Sequence, residues 1–473
     1  MKREKINLHI LWILMLSAFV YGCAVQAPTP LKPALVDQGE LYFYLQPLPQ
    51  EMLPIAFTLS DVSVISEQGD KTPLVRDDLQ INGRELLNIQ KRLFSKILAP
   101  GRYKGVSLTI SQATLATKEG TMELMPPPQP LQLTLDFTVR RGKAIAIFLV
   151  LSPEYLVIDG FKFRPRFALA KPIYHPKNFL GFISNTSENI VTVFNKRTME
   201  IVQVIRTGVA PKGMALDQNR GIVYVALAGD DAIELINVDS MEVYGRIKLR
   251  FGDEPVELAL SPDGATLIAA NYGSGTISMI DTWSKIEVER LGLEPDPVWI
   301  VTSRDGQKAY VLHSLSNSIS VIDLPNRRLQ TSFTLDESPF RAALNRDDSK
   351  LYIVSQYSSD LTIIDARSRA SLGTIFTGGN GASIKVDPRN NLIYIGKKTG
   401  EIAVIDPASA MFIDSFPVQG DAGFVAIDGE ESMLQVLSNS RNEVHKLNLV
   451  SKREVANLVT EAGPHALVVM GEL

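Results

Sequence analysis

The sequence predicts an all-β chain: a seven-bladed β-propeller over residues 173–473, preceded by a β-sandwich over residues 38–172. Three observations predict it. From about residue 180 onward, landmarks recur with a period near 42 residues. Each period holds about four short strands, which is the content of one propeller blade. The block ahead of the repeats carries its own alternating strands. A chain of 473 residues is too long for one ordinary core, so two domains behind an export segment are expected.

The N-terminus reads as an address. Basic "MKREK" is followed by the apolar run "LHILWILMLSAFV" and then "VYGC", the order of a secretory signal over residues 1–22. Val20, Gly22 and Cys23 resemble a bacterial lipobox, in which the Cys becomes the lipidated first residue of the mature chain. Tyr21 is bulkier and Val20 less common than the usual occupants. Cleavage after Ala27 is opposed by Pro28, and an uncleaved anchor by the shortness of the apolar run. Cys23 is the single cysteine, so no intramolecular disulfide is available and lipid attachment is the use that fits it. The resemblance implies an outer-membrane lipoprotein, facing the periplasm or the cell surface, because Ala rather than Asp follows the Cys. Pro28, Pro30 and Pro33 then mark residues 23–37 as an extended tether.

Within residues 38–172, "LQLTLDFTV" puts Leu131, Leu133, Leu135, Phe137 and Val139 on one face, as in a half-buried antiparallel strand. "YKGVSLTISQATL" alternates through Val106, Leu108 and Ile110, and "KAIAIFLVLS" suits a central strand. "RELLNIQKRLFSKIL" spaces Leu86, Leu87, Ile89, Leu93 and Ile97 for one helix. Strands with one short helix predict a sandwich. The run "LLNIQKRLFSKILAPGRYKGVSLTISQATL" also resembles a domain family of bacterial lipoproteins with an immunoglobulin-like or transthyretin-like sandwich, which carries no activity with it.

The repeats align on Asn195, Asn237, Asp281, Asp323, Asp365, Asp406 and Asn448, at intervals of 41 to 44 residues. A second landmark, Pro211, Pro255, Pro297, Pro339, Gly381, Ala422 and Pro464, keeps the same period independently. Segments such as "LIAANYGSGTISMID", "AYVLHSLSNSISVID" and "LYIVSQYSSDLTIID", with "SPDG" at 261–264, resemble the Tyr-Val-Thr-Asn family of propeller repeats over roughly residues 178–473. "PHALVVM" reads as an innermost strand with nothing after it, and the first repeat lacks one. Joining the two completes the seventh blade and removes an open edge.

Scaffold positions repeat, but one ring of positions does not. Gly213, Glu257, Trp299, Arg341, Ser383, Phe424 and Ala466 open the innermost strands, with Lys212, Phe340 and His465 beside them. Lys212, Glu257, Trp299, Phe340, Arg341, Phe424 and His465 are therefore the candidate ligand-binding residues at one mouth of the channel. Seven unequal residues are also what drift leaves there. The loops joining second to third strands should flank the same face.

Catalytic signals are sparse. His9, His175, His313, His445 and His465 show no paired metal spacing, and no metal or cofactor is expected. The sequence has no CxxCH, so a haem-bearing propeller of the nitrite-reductase kind is excluded. Acidic turns such as "NRDDSK" need no calcium, and "GGNG" at 378–381 reads as a turn rather than a phosphate loop. Removing residues 1–22 takes away three bases and one acid, which moves the formal charge from −4 to −6. That balance argues against nucleic acid, including the single-stranded binding known among some relatives of the repeat family. Two function classes remain. The favoured one is a non-enzymatic binding or scaffolding lipoprotein for a protein, peptide or glycan. The alternative, from resemblance to lactonase and streptogramin-lyase propellers, is a hydrolase or lyase with Glu257, Arg341 and His465 as weak catalytic candidates.

Overall fold

Alternating and fully apolar stretches decide how the first part of the chain folds. The computed structural model describes residues 32, 33, 35, 37–75, 77–154, 156–173 and 175–472. The expected signal, Cys23 and most of the tether lie outside the described residues. Strand Gly39–Leu45 runs parallel to Ala144–Ser152 and antiparallel to Lys91–Leu98, and Arg166–Ala170 completes that sheet. A second sheet is built on the long strand Gly101–Thr117, paired with Ile55–Ser66, Gly120–Leu124 and Leu131–Val139. The two sheets share one apolar core, which includes Leu41, Phe43, Phe57, Val62, Leu108 and Phe137.

One expectation is corrected here. Residues 84–98 form no helix: a turn with Asn88 at φ 57° leads into strand Lys91–Leu98. Pairing with Gly39–Leu45 satisfies that strand's backbone, and Phe94 stacks on Phe43 at 5.0 Å between centroids. Helical spacing of Leu86, Leu87, Ile89, Leu93 and Ile97 lost to this tertiary pairing. Among the described residues only Gln50–Met52 and Lys177–Phe179 form helical turns, both of the 3-10 type. None is long and apolar enough to cross a membrane.

From Leu180 onward the strands form four-stranded antiparallel sheets, all but one of them simple meanders. Six are sequential, the first being Pro211–Asp217, Ile222–Leu227, Ala232–Asn237 and Glu242–Lys248. One is made from both ends of the region: Glu200–Arg206, Ile190–Asn195 and Leu180–Asn185 are joined by Pro464–Val469. The first strand of each sheet packs against the first strand of the next, and Pro464–Val469 packs against Pro211–Asp217, so the innermost strands close a ring.

Both sequence landmarks fall on strand ends, and the hairpin chemistry explains the first. Asn237, Asp281, Asp323 and Asn448 each end a third strand, and each side chain accepts a hydrogen bond from the backbone N–H three residues on, at 2.7 to 3.1 Å. The residue after that donor is left-handed in every repeat, as at Met241, Lys285, Arg327 and Lys452. Asn and Asp satisfy that tight turn from their own side chains, so they recur. The second landmark is the first residue of an innermost strand everywhere except at Ala422, where the strand begins at Phe424.

A buried ion pair fastens the closing sheet. Lys196 is fully buried, with Nζ 3.0 Å from Asp428 Oδ2, and donates to the Met470 carbonyl at 2.6 Å. The sheet containing Gly39–Leu45 lies across the same seam. Tyr42, Tyr44, Ala146 and Phe148 turn away from the core described above and pack with Phe194, Ile201, Val204 and Leu458. Around them Arg206 meets Glu40 at 3.3 Å, and the Tyr44 hydroxyl donates to Glu461 at 2.6 Å. Lys32 bridges Glu40 and Glu188, and Arg92 pairs with Glu461.

Removing one member of a buried pair leaves the other charge uncompensated. Lys196→Met should cost about 3–5 kcal/mol, seen as a lower urea midpoint, whereas Lys196→Met with Asp428→Leu should recover most of it. Equal midpoints for wild type and the single variant would remove the pair from any role in closure.

Candidate functional site

A repeated irregularity aims side chains at the channel. Every innermost strand except Phe424–Asp428 starts with a register shift against its neighbour, as between Pro255 and Glu257, Pro297 and Trp299, Pro339 and Arg341, and Gly381 and Ser383. The same slip lies opposite Ser184 and Asn185, at His465, and between Pro211 and Met214. A bulge inserts one residue and turns the next side chain. It thereby produces two adjacent layers, with Lys212, Phe340 and His465 among the bulged residues and Glu257, Trp299 and Arg341 just after them. Small residues stand where the larger ones need room. A Cβ on Gly213 would lie 2.6 Å from the Glu257 Cα.

Arg341 is the centre of the cluster. Its guanidinium lies 4.5 Å from the Trp299 ring centroid and 4.1 Å from that of Phe340. Nη1 donates to the Phe340 carbonyl at 3.1 Å, and Nε is buried without a hydrogen-bond partner. Trp299 is held by its indole N–H, which donates to the Ala342 carbonyl at 2.9 Å, and Phe424 meets it edge-on at 6.3 Å.

Burial dominates the electrostatics. Glu257 is pushed up to about 8, against the opposing pull of the Arg341 charge. Arg341 itself is drawn down to about 10 by burial, with Glu257 opposing. His465 is drawn down to about 3 by burial and then by the positive charges of Arg341 and Lys212, so its imidazole is neutral at physiological pH. Lys212 is lowered by burial and partly restored by Glu254. Arg341 thus acts on groups two and three strands away around the ring, which draws the candidate residues into one cluster across its axis.

The cluster closes one end of a channel cavity of about 690 Å³. Glu257, Trp299 and Phe424 line that cavity, with Leu258, Ile300, Ala342 and Leu467 along its walls. Lys212, Phe340, Arg341 and His465 do not line it. At the opposite end stand Gln218, Arg304, Asp348, Lys385 and Glu472, which sequence reasoning missed. Lys385 pairs with Glu472, and Gln218 donates to the Glu472 carbonyl at 3.0 Å. Asp348 accepts from the Arg304 N–H at 2.6 Å, and its other oxygen is buried without a partner. Of the stretches that form this end, the sequence analysis singled out only "NRDDSK", whose acidic residues are sufficiently explained by its turn.

Two other histidines, His313 and His445, serve the sheets. His313 is buried with Nε2 3.0 Å from Ser320, and His445 is buried with Nδ1 3.1 Å from Glu454. Gly378, Gly379 and Asn380 are all left-handed in the connection between Ser371–Phe376 and Gly381–Val386, as a turn requires.

No family model matches the chain, and no curated protein does. Solved structures do resemble it. A hydrazine synthase of Kuenenia stuttgartiensis aligns at 19% identity and TM-score 0.52, over 59% of this chain and 94% of that one. A functionally unknown protein from Desulfotomaculum acetoxidans aligns at 14% identity and TM-score 0.55, over 61% and 98% respectively. At these identities the likeness shows the fold alone, and with the repeated four-stranded sheets it makes the fold a β-propeller.

The shifted groups predict how stability varies with pH. Glu257 keeps its proton up to about 8 in the fold but ionises near 4.5 when unfolded, so its contribution is complete below 4.5 and is lost as pH rises to about 8. His465 contributes fully above 6.5 and loses that contribution as pH falls toward about 3. Between pH 6.5 and 8 only Glu257 of the two is titrating, so stability should fall there by about 1–2 kcal/mol. Glu257→Gln should flatten that fall in urea midpoints measured across the window. A difference between the two proteins that does not vary with pH would contradict the assignment.

Proposed function

We propose that this chain is an envelope-anchored lipoprotein, attached through lipid on Cys23, that acts as a non-enzymatic binding or scaffolding module for a protein, peptide or glycan. On this reading the four-stranded sheets are seven blades of the Tyr-Val-Thr-Asn repeat type, residues 173–473. Residues 38–172 are a β-sandwich of the immunoglobulin or transthyretin kind. Its sheet-to-sheet contact with the closing blade supports a spacer that holds the propeller at a fixed attitude.

One observation carries the binding reading. A buried guanidinium with an unpartnered Nε stands between two aromatic rings at the end of a channel, and an unsatisfied donor in such a setting is what a ligand acceptor completes. A second reading, hydrolase or lyase, is favoured by Glu257, whose carboxyl is poised near neutrality beside a cavity. Lactone hydrolysis abolished by Glu257→Gln in a folded protein would favour it over the first.

Affinity capture from crosslinked envelopes tests the binding reading. Partners recovered with the intact protein should be lost with the folded Trp299→Ala, Arg341→Ala variant, and unchanged recovery would refute a role for this end of the channel. Fatty-acid labelling should vanish in Cys23→Ser, and persistent label would refute the anchor.

A further inference from the structure

A run of loops outside the channel presents apolar surface and negative charge together. On the face that carries Lys212 and Arg341, the connections of consecutive sheets are linked by backbone hydrogen bonds. Gly273 donates to Asp253 at 3.0 Å, Leu293 to Gly275 at 3.0 Å, Leu335 to Asn317 at 2.7 Å and Gln356 to Ser338 at 3.0 Å. The chain of contacts ends with Thr377 donating to Ser359 at 2.9 Å. The Leu315 N–H donates to the Asp296 carboxylate at 3.1 Å and joins the first two of these bonds to the rest, so the loops form one continuous arc.

Large side chains project from this arc. Phe251 is 100% exposed, Tyr357 86%, Leu315 78%, Phe376 70% and Tyr272 44%. Turn chemistry asks for none of them, since Gly, Asn and Ser serve in these hairpins. Isolated exposed apolar residues need no explanation, but a connected series on one face does. Between them Glu254, Glu294, Asp336 and Glu337 are exposed, against two exposed bases, Lys248 and Arg250, so the arc is net acidic. The docked sheet of Gly39–Leu45 packs on the closing side of the ring, away from this arc.

We propose that this arc is a docking surface for a cationic, apolar-bearing segment of a partner protein. Carboxylates and aromatic faces both attract ammonium and guanidinium groups, and the intervening rings seat apolar side chains. A second copy of this chain is disfavoured because like acidic faces would meet, and an anionic bilayer is repelled for the same reason. The inference rests on the binding-module reading but uses none of the residues that close the channel.

The test uses the full-length protein and a synthetic lysine–leucine peptide, with a glutamate–leucine peptide of equal length and phosphatidylcholine vesicles as comparisons, by titration calorimetry. The lysine–leucine peptide should bind with an affinity that falls as salt rises, and the other two should not bind. Phe251→Ser with Tyr357→Ser, and separately Glu294→Lys with Glu337→Lys, should each weaken binding about tenfold or more while circular dichroism stays unchanged. Undiminished binding in both variants, equal binding of the two peptides, binding to vesicles, or self-association in place of peptide binding would each overturn the proposal. The channel end is read separately through Trp299→Ala. If envelope capture is indifferent to that substitution while the peptide still binds the arc, the channel reading falls and the arc stands.

Discussion

Every feature of the propeller depends on one pairing between strands nearly the whole repeat region apart. Leu180–Asn185 takes Pro464–Val469 as its antiparallel neighbour, which turns a row of sheets into a ring. Without it two innermost edges would stand open, each a row of unpaired backbone groups. Local hydrogen bonds reinforce the seam. Asn185 donates to the Glu461 carbonyl at 2.7 Å, and Thr186 N–H donates to Gly463 at 2.7 Å. The Lys196 and Asp428 pair lies beside it, and the sheet of Tyr42 and Tyr44 covers it. Closure brings residues from both ends of the region together at the channel, so His465 meets the fields of Lys212 and Arg341 only because the ring is closed.

Much of this was legible in the sequence because hairpin chemistry repeats. The Asn or Asp ending each third strand serves its own turn, and the proline opening most inner strands marks the sheet boundary. The closing strand was legible for a related reason: "PHALVVM" had no partner in sequence and the first repeat lacked one. Failures came where tertiary contact outweighed local pattern. Residues 84–98 carry helical spacing, yet strand Lys91–Leu98 forms because Gly39–Leu45 supplies both hydrogen bonds and the Phe43 ring. "GELYFYL" is buried on both faces and shows no alternation to betray it. Ring position two places after the landmark was readable, but the bulge that turns those side chains inward and joins them into a closure was not, because it is a property of pairing register.

Two kinds of surface result, with different physics. At the end of the channel, desolvation sets the charges: a carboxyl kept protonated to about 8, an imidazole kept neutral, and a guanidinium held between rings. On the outer arc, carboxylates stay in water beside exposed rings, where Coulomb attraction is weak per pair and sensitive to salt. A rigid ring holds both on one face. The docked N-terminal sheets fix that face relative to the start of the described chain through buried apolar and ionic contacts.

Native-state hydrogen exchange tests the central claim about closure most directly. If closure governs the ring, the bonded amides of Leu180–Asn185 and Pro464–Val469 exchange only with global unfolding, at the same free energy as inner strands such as Pro297–Thr302. Much weaker protection of the closing strand, with the other inner strands still protected, would show a ring that holds without its seam and would contradict the account.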